Sequence, residues 1–291
     1  MSRQFLPTFN LSFNPNEIGG ALAWAAPLLL GLALVRPQHL PTTDEVQRWR
    51  VLRAVCLIGG LLGLLALGLG QSRFALAGVG VSLVLLSWLG LSGKARWLTL
   101  GALSLLALAQ LALLLNWFDP SNSRDANSTS LGLTSRDEHS LVTRLQIWDR
   151  GLRMMTDQPL TGIGMAMFRS AVAQPRYVIP YFQQTNQIVP HAHNEFIQIG
   201  AEMGLGGLSL FIGLYAACGW CLWRTWRHGS PWLRGQALAV GAALLAHALY
   251  SLGDAISLWD RYSFMFGLLW AWCAALEVTA RQAQVMTSDN A

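Results

Sequence analysis

The run from Gln187 to Gly207, QIVPHAHNEFIQIGAEMGLGG, sets His191, His193 and Asn194 in a polar loop that passes directly into an apolar helix. An imidazole at that boundary exchanges protons with solvent, and the low-dielectric side strengthens its interaction with charged groups. An isolated interfacial histidine commonly does no more than soften the start of a helix. Two histidines, an asparagine and the spaced glycines Gly204, Gly206 and Gly207 together favour a working site. Arg73, in the short connection QSR, and Arg144, inside a long connection, supply cations that such a site needs. Two guanidinium groups hold a diphosphate through charge-assisted, often bidentate hydrogen bonds. A histidine removes a proton from an attacking hydroxyl or orients it. The alternative for Arg73 is that it snorkels to lipid phosphate, as arginines at span boundaries do.

Other polar residues have plainer readings. Glu202 lies nine residues after His193; at about 100° per residue it falls on the opposite helix face, so a structural role is expected. Asp254, Asp260 and Arg261 cluster after the sixth apolar segment, where an exposed ion pair is expected, with Arg261 as an optional member of an anion site. His247 reads as a hydrogen-bonded packing residue. Cys56, Cys218, Cys221 and Cys273 lie in apolar segments and read as small buried residues; the CxxC at Cys218 and Cys221 has no second ligand pair. No glycine-rich nucleotide loop and no acidic cluster for a divalent cation are present, so neither cofactor nor metal is expected. A site of this kind needs a donor that arrives already activated, and a lipid-linked diphosphate sugar fits. Between Pro175 and Pro190, Tyr177, Tyr181, Phe182, Gln183, Gln184 and Asn186 suit either sugar stacking or a membrane interface.

The elements that must position these groups are apolar helices. Of 291 residues 53% are apolar and 12% charged, and the mean hydropathy is +0.38. A soluble domain carries about 25% charged residues, so the chain reads as an integral membrane protein. The fold expected is all-α: a polytopic helix bundle of about seven spans. They fall at about 17–35, 52–70, 74–92, 97–118, 195–223, 235–253 and 262–280. The expected organisation is four spans over 1–118, a long loop over 119–193, and three spans with a short tail over 194–291. The net charge of +5 does not indicate nucleic acid, because the arginines are scattered among connections and form no basic face. The short basic connections, holding Arg36, Arg48, Arg50, Arg53, Lys94, Arg96, Arg224, Arg227 and Arg234, belong on the cytoplasmic side. The amino terminus and the long loop then face outward, towards the periplasm in a Gram-negative cell. In that loop Ser135 and Glu138 have capping-box spacing, and a helix is expected over about 138–156. Its apolar stripe is Leu141, Leu145, Trp148, Leu152 and Met155, with Arg144 beside it and Arg150 and Arg153 on a solvated flank.

Two blocks, RLQIWDRGLRMMTDQPLTGIGMAMF from Arg144 to Phe168 and HAHNEFIQIGAEMGLGG from His191 to Gly207, resemble the O-antigen ligase family. That family includes O-antigen polymerases and protein O-oligosaccharyltransferases. Weaker likeness extends to NPNEIGGALAWAAPLLL at Asn14–Leu30 and QSRFALAGVG at Gln71–Gly80. The resemblance implies a glycosyltransferase of the bacterial inner membrane, working on the periplasmic face with an undecaprenyl diphosphate-linked glycan as donor. It implies that Arg73 and Arg144 bind the diphosphate, that His193 activates the acceptor hydroxyl, and that no metal is required. Asn194, His191, Glu202 and Arg261 are supporting candidates. The acceptor is a lipid A core sugar, another lipid-linked glycan, or a protein hydroxyl, depending on the branch. Members of the family have roughly a dozen spans and this chain begins near the middle of that pattern, so spans preceding it are expected to be missing.

Two other readings stay open at the level of sequence. A transporter or export subunit expects paired polar groups near the bilayer midplane, whereas here the charges gather at the outward edge. A truncated, non-catalytic family member is the other.

Overall fold

The computed structural model describes residues 15–35, 42–70, 72–117, 134–179, 189–255 and 263–288. Arg261, Asp260, Gln71 and the aromatic and amide residues from Tyr181 to Asn186 lie outside the described residues. Nine helices and no strand are formed within them. The helices are α1 (Pro15–Leu34), α2 (Thr43–Gly70), α3 (Arg73–Gly90), α4 (Gly93–Trp117), α5 (Thr134–Asp157), α6 (Phe168–Ala171), α7 (Glu195–His228), α8 (Pro231–Tyr250) and α9 (Ser263–Ser288). The all-helical bundle expected from composition is what the chain adopts.

Four of these helices, α2, α3, α7 and α9, are long and apolar enough to cross a bilayer. Their outer faces confirm which solvent they suit. On α2 alone Leu57, Ile58, Leu61, Leu62, Leu65 and Leu69 are each roughly half exposed or more, a continuous apolar surface that water does not tolerate and acyl chains do. Near the end of α7, exposed Trp220, Trp223 and Trp226 alternate with Arg224 and Arg227, the mix of amphipathic rings and cations found at a membrane–water boundary. There Glu277 of α9 accepts from Arg224 at 3.1 Å and from Arg281 at 2.6 Å, which leaves its buried carboxylate paired.

Inside, α1 packs on α2, α3 and α8, and α8 also packs on α3 and α7. Small residues line these contacts. Ala23, Ala26, Ala75, Val79 and Ala246 form one buried cluster with Leu67 and Tyr250, and such residues let helix backbones approach closely where no hydrophobic drive separates helix from lipid. A second cluster joins α7, α8 and α9 around Phe211, Val240, Phe266 and Leu269. A third, around Ile147, Met154, Phe168, Ile179 and Ala192, belongs to the long connection and lies against the first half of α7.

The helix of the long connection departs from expectation in which face it buries. Leu145 and Leu152 are exposed, and Ile147, Gly151 and Met154 turn inward instead. The reason is α7: a β-carbon at Gly151 would meet the Ile197 side chain, so α5 and α7 approach through that glycine and the buried stripe rotates to follow it. The helix also starts at Thr134, ahead of Ser135. Arg153 is solvated as expected and pairs with Asp149 at 3.0 Å. Arg150 is the less exposed of the two, at 22%.

α7 is a broken helix. Gly204 has φ 67° and ψ −171°, outside helical geometry, and a β-carbon there would strike the Leu160 carbonyl. The break frees backbone groups that a continuous helix would keep, and the segment after α5 takes them. Leu205 N–H donates to the Pro159 carbonyl at 2.7 Å, Ile163 N–H to Ala201 at 2.9 Å, and Gly164 N–H to Glu202 at 3.0 Å. The two sequence blocks that carry the family resemblance are therefore stitched to each other.

Candidate active site

The loop before α7 is held from three sides. Asn194 is the N-cap: its Oδ1 accepts from Ile197 N–H at 3.1 Å, and its Nδ2 donates to the Leu252 carbonyl at 3.1 Å. Glu195 N–H donates to the Ser251 carbonyl at 2.9 Å. Gln198 Oε1 accepts from Ala192 N–H at 2.7 Å. From α5, the Trp148 indole N–H donates to the His193 carbonyl at 3.3 Å. The helix start, the turn after α8 and the middle of α5 are thus tied to one short peptide. Within it His193 has φ 49°, a left-handed conformation uncommon outside glycine, though histidine takes it more readily than most, and one found at positions the surroundings over-determine.

What this clamp positions is a histidine against a carboxylate. His193 Nδ1 lies 3.2 Å from Asp254 Oδ1, and the same oxygen accepts Ala255 N–H at 2.9 Å. Asp254 is 3% exposed. That overturns its reading as half of an exposed ion pair: the turn 251–254 folds under the α7 start, and the acid faces the histidines. Burial pushes the Asp254 carboxyl up. The hydrogen bond from His193 and the charges of both histidines outweigh this, and the net shift is below the ordinary carboxylate value.

His191 completes the group, with its ring centroid 4.3 Å from that of His193. Burial, and next the charge of His193, push His191 down to about 4; Asp254 acts the other way and Arg144 adds to the lowering. Its Nδ1 accepts the His193 backbone N–H at 3.2 Å, so His191 carries its proton on Nε2. The 3.5 Å approach of His191 Nδ1 to Asp254 Oδ1 is then a contact of two acceptors and no ion pair. His193 is the opposite case. A carboxylate accepts only, so His193 Nδ1 carries the proton and its Nε2 lone pair is left to take another.

Arg144 stands one helical turn before Trp148, and its guanidinium lies 5.5 Å from the ring centre of Phe74. Phe74 follows Arg73, which is exposed at the start of α3. Phe74 also fills the space over Gly253, where any β-carbon would clash with its ring. The α3 start, the α5 arginine and the Asp254 turn therefore share one corner of the bundle. Glu202 is elsewhere: its Oε1 accepts Phe168 N–H at 2.9 Å, so it anchors the segment after α5. Tyr177 is buried, with its hydroxyl donating to Asp157 at 2.7 Å, and is not part of a sugar-stacking surface. Arg176 and then Tyr177 hold Asp157 below the usual carboxylate range. His247 Nδ1 lies within hydrogen-bond distance of the Tyr215 hydroxyl at 3.1 Å and the Ser251 hydroxyl at 3.3 Å, the hydrogen-bonded packing expected of it.

Two contributors were not identified from sequence. From sequence Trp148 reads as part of an apolar stripe, although its spacing from Arg144 puts both on one side of α5. Asp254 reads from sequence as one of a charged group with Asp260 and Arg261; its place just after the sixth span, on the same side as His193, is the signal that sequence offers.

A model of the O-antigen ligase family matches residues 58–212, just over half of the chain. The matched region opens within α2 and closes in α7 beyond the break, taking in Arg73, Arg144, His191, His193, Asn194 and Glu202. Asp254 comes after it. No curated protein matches the chain. A membrane bundle in which a histidine loop, an arginine helix and a broken span are bonded together over the matched region belongs to the O-antigen ligase family.

Proposed function

We propose that this protein transfers a glycan from an undecaprenyl diphosphate carrier to an acceptor hydroxyl during assembly of surface polysaccharide, on the periplasmic face of the bacterial inner membrane. The observation that carries the reading is the His193–Asp254 pair, which fixes the imidazole with a proton on Nδ1 and an open lone pair on Nε2. In the reaction Nε2 takes the proton of the acceptor O–H. The acceptor oxygen bonds to the anomeric carbon of the donor sugar, and the bond from that carbon to the diphosphate oxygen breaks. Asp254 stabilises the imidazolium that forms. Undecaprenyl diphosphate leaves with its charge held by Arg144 and Arg73, and the imidazolium returns its proton to solvent or to the departing phosphate. The acceptor is lipid A core, a growing glycan or a protein hydroxyl.

The test uses the full chain in proteoliposomes, with the lipid-linked glycan as donor, no nucleotide and no added metal. Transfer is expected from the parent protein and none above background from His193→Ala, with the helical signal and elution profile unchanged. Arg144→Ala, and also Arg144→Lys, which lacks the planar fork, are expected to raise the donor KM. Full transfer by His193→Ala sinks the mechanism.

A further inference from the structure

Three donor atoms in the candidate site are spaced as ligands of one metal ion. His191 Nδ1 and His193 Nδ1 lie 3.5 Å and 3.2 Å from Asp254 Oδ1, and one ligand atom from each of the three residues falls within 4.8 Å of the others. Zinc bound tetrahedrally at about 2.0–2.1 Å from nitrogen and oxygen sets its ligands roughly 3.3–3.4 Å apart. The two distances to Asp254 bracket that edge. The donor set, two imidazoles and one carboxylate, suits a borderline cation such as Zn²⁺ or Co²⁺ better than Mg²⁺, which prefers an all-oxygen octahedron.

We propose that His191, His193 and Asp254 form an inhibitory binding site for a divalent transition metal of the zinc type, with solvent completing the coordination. The loop is preorganised for it: Asn194, Gln198 and Trp148 hold the backbone on either side of the two imidazoles. His191 already presents an unprotonated Nδ1, giving up only its 3.2 Å bond from the His193 N–H. His193 must move its proton from Nδ1 to Nε2 through solvent, with no change in the number of protons bound. The metal then occupies Nδ1, while Nε2 becomes a donor and no longer accepts the proton of a hydroxyl. Uptake of the metal and action as a base are mutually exclusive at His193. The inhibitory consequence rests on the role proposed for His193 above; the binding does not.

The experiment uses the full chain without a histidine tag, in detergent, after treatment with a chelator. Co²⁺ is expected to bind at one ion per chain with the intense visible absorption of a tetrahedral site, and Zn²⁺ to displace it. His193→Ala is expected to weaken Zn²⁺ binding by more than about 100-fold, beyond what loss of an outer-shell partner does, and Asp254→Asn to weaken it as well. His191→Ala, which leaves the His193–Asp254 pair in place, should also lose the tetrahedral spectrum. A Co²⁺ spectrum that stays octahedral overturns the proposal, as does a tetrahedral one that all three substitutions leave unchanged. In the transfer assay, micromolar Zn²⁺ is expected to suppress transfer reversibly to chelator while Mg²⁺ does not. Tetrahedral binding without suppression refutes the inhibitory part and counts against His193 as the base. Absence of transfer in all samples, with the spectrum intact, refutes the glycosyltransferase reading alone.

Discussion

Replacing Asp254 by asparagine removes one negative charge from the histidine pair while keeping its shape. The hydrogen bonds from His193 Nδ1 at 3.2 Å and from Ala255 N–H at 2.9 Å go to Oδ1, and an asparagine Oδ1 accepts these two as well. The tautomer of His193 therefore survives, and what is lost is the attraction between the carboxylate and the imidazolium formed during proton transfer. At the 3.2 Å separation and an effective dielectric of about 20, that attraction is about 5 kcal/mol for a full imidazolium. A transition state with the proton half transferred feels about half, near 2.5 kcal/mol, which is about 70-fold in rate. Partial exposure of the His193 ring favours the lower figure. The assay is single-turnover transfer in proteoliposomes, with saturating lipid-linked donor and a range of acceptor. The expected result is a fall in kcat on the order of 10²-fold with little change in donor KM. The same substitution placed on His193→Ala should cost almost nothing further, because the charge acts only through the imidazole. A folded Asp254→Asn protein within about 5-fold of the parent rate would refute the coupling of carboxylate to base.

Three further outcomes follow from the same geometry. Glu202→Ala leaves the buried Phe168 N–H without its acceptor, so a loss of about 1–3 kcal/mol in stability is expected, read as a lower melting temperature with kcat of the folded fraction unchanged; Glu202→Gln, which keeps the acceptor, should restore most of it. Gly204→Ala places a β-carbon on the Leu160 carbonyl at a φ of 67° and is expected to destabilise by more than about 1–3 kcal/mol, seen as lost thermal stability or failure to accumulate in the membrane. Stability should also depend on pH through His191, whose folded value of about 4 lies below its ordinary value near 6.5. Between those values the unfolded loop binds a proton that the folded one refuses, so stability is full above about pH 6.5 and falls as pH drops towards 4, by on the order of 3 kcal/mol. Melting curves from pH 8 to 4 check the slope, which His191→Gln should flatten.

How much of this was legible beforehand depended on the length scale of each signal. Apolar composition and helical stretches fix an all-α membrane bundle because burial in lipid is a property of about 20 consecutive residues, and neighbouring elements do not alter it. His193 at a helix start is readable because the change from polar loop to apolar helix lies within a turn of it, and Glu202 reads as structural from its helix face, though the Phe168 N–H that it accepts lies 34 residues earlier. The face buried by α5 was not readable. Leu145 and Leu152 satisfy helical spacing as well as Ile147 and Met154 do, and the choice was made by Gly151 meeting Ile197 on another helix. Asp254 was hidden for the same reason: its partner lies 61 residues away, and nothing local distinguishes a carboxylate under a histidine from one paired to a surface arginine.

The break at Gly204 connects these observations. In a bilayer every backbone polar group must find a partner, so interrupting a span is tolerated only where other protein supplies the missing bonds. Here the segment after α5 supplies them, through Pro159, Ile163 and Gly164, and in doing so it fixes the height of α5 along α7. That height sets Trp148 against the His193 carbonyl and carries Arg144 to the corner where Phe74 and the Asp254 turn meet. The histidine loop sits at the free end of the same half-helix, nine residues before the glycine-bearing Glu202 turn begins to bend away. A broken span thus converts a connection that would otherwise float over the membrane into a rigid platform, and Arg144 and His193 keep their registry because both are measured from one kink.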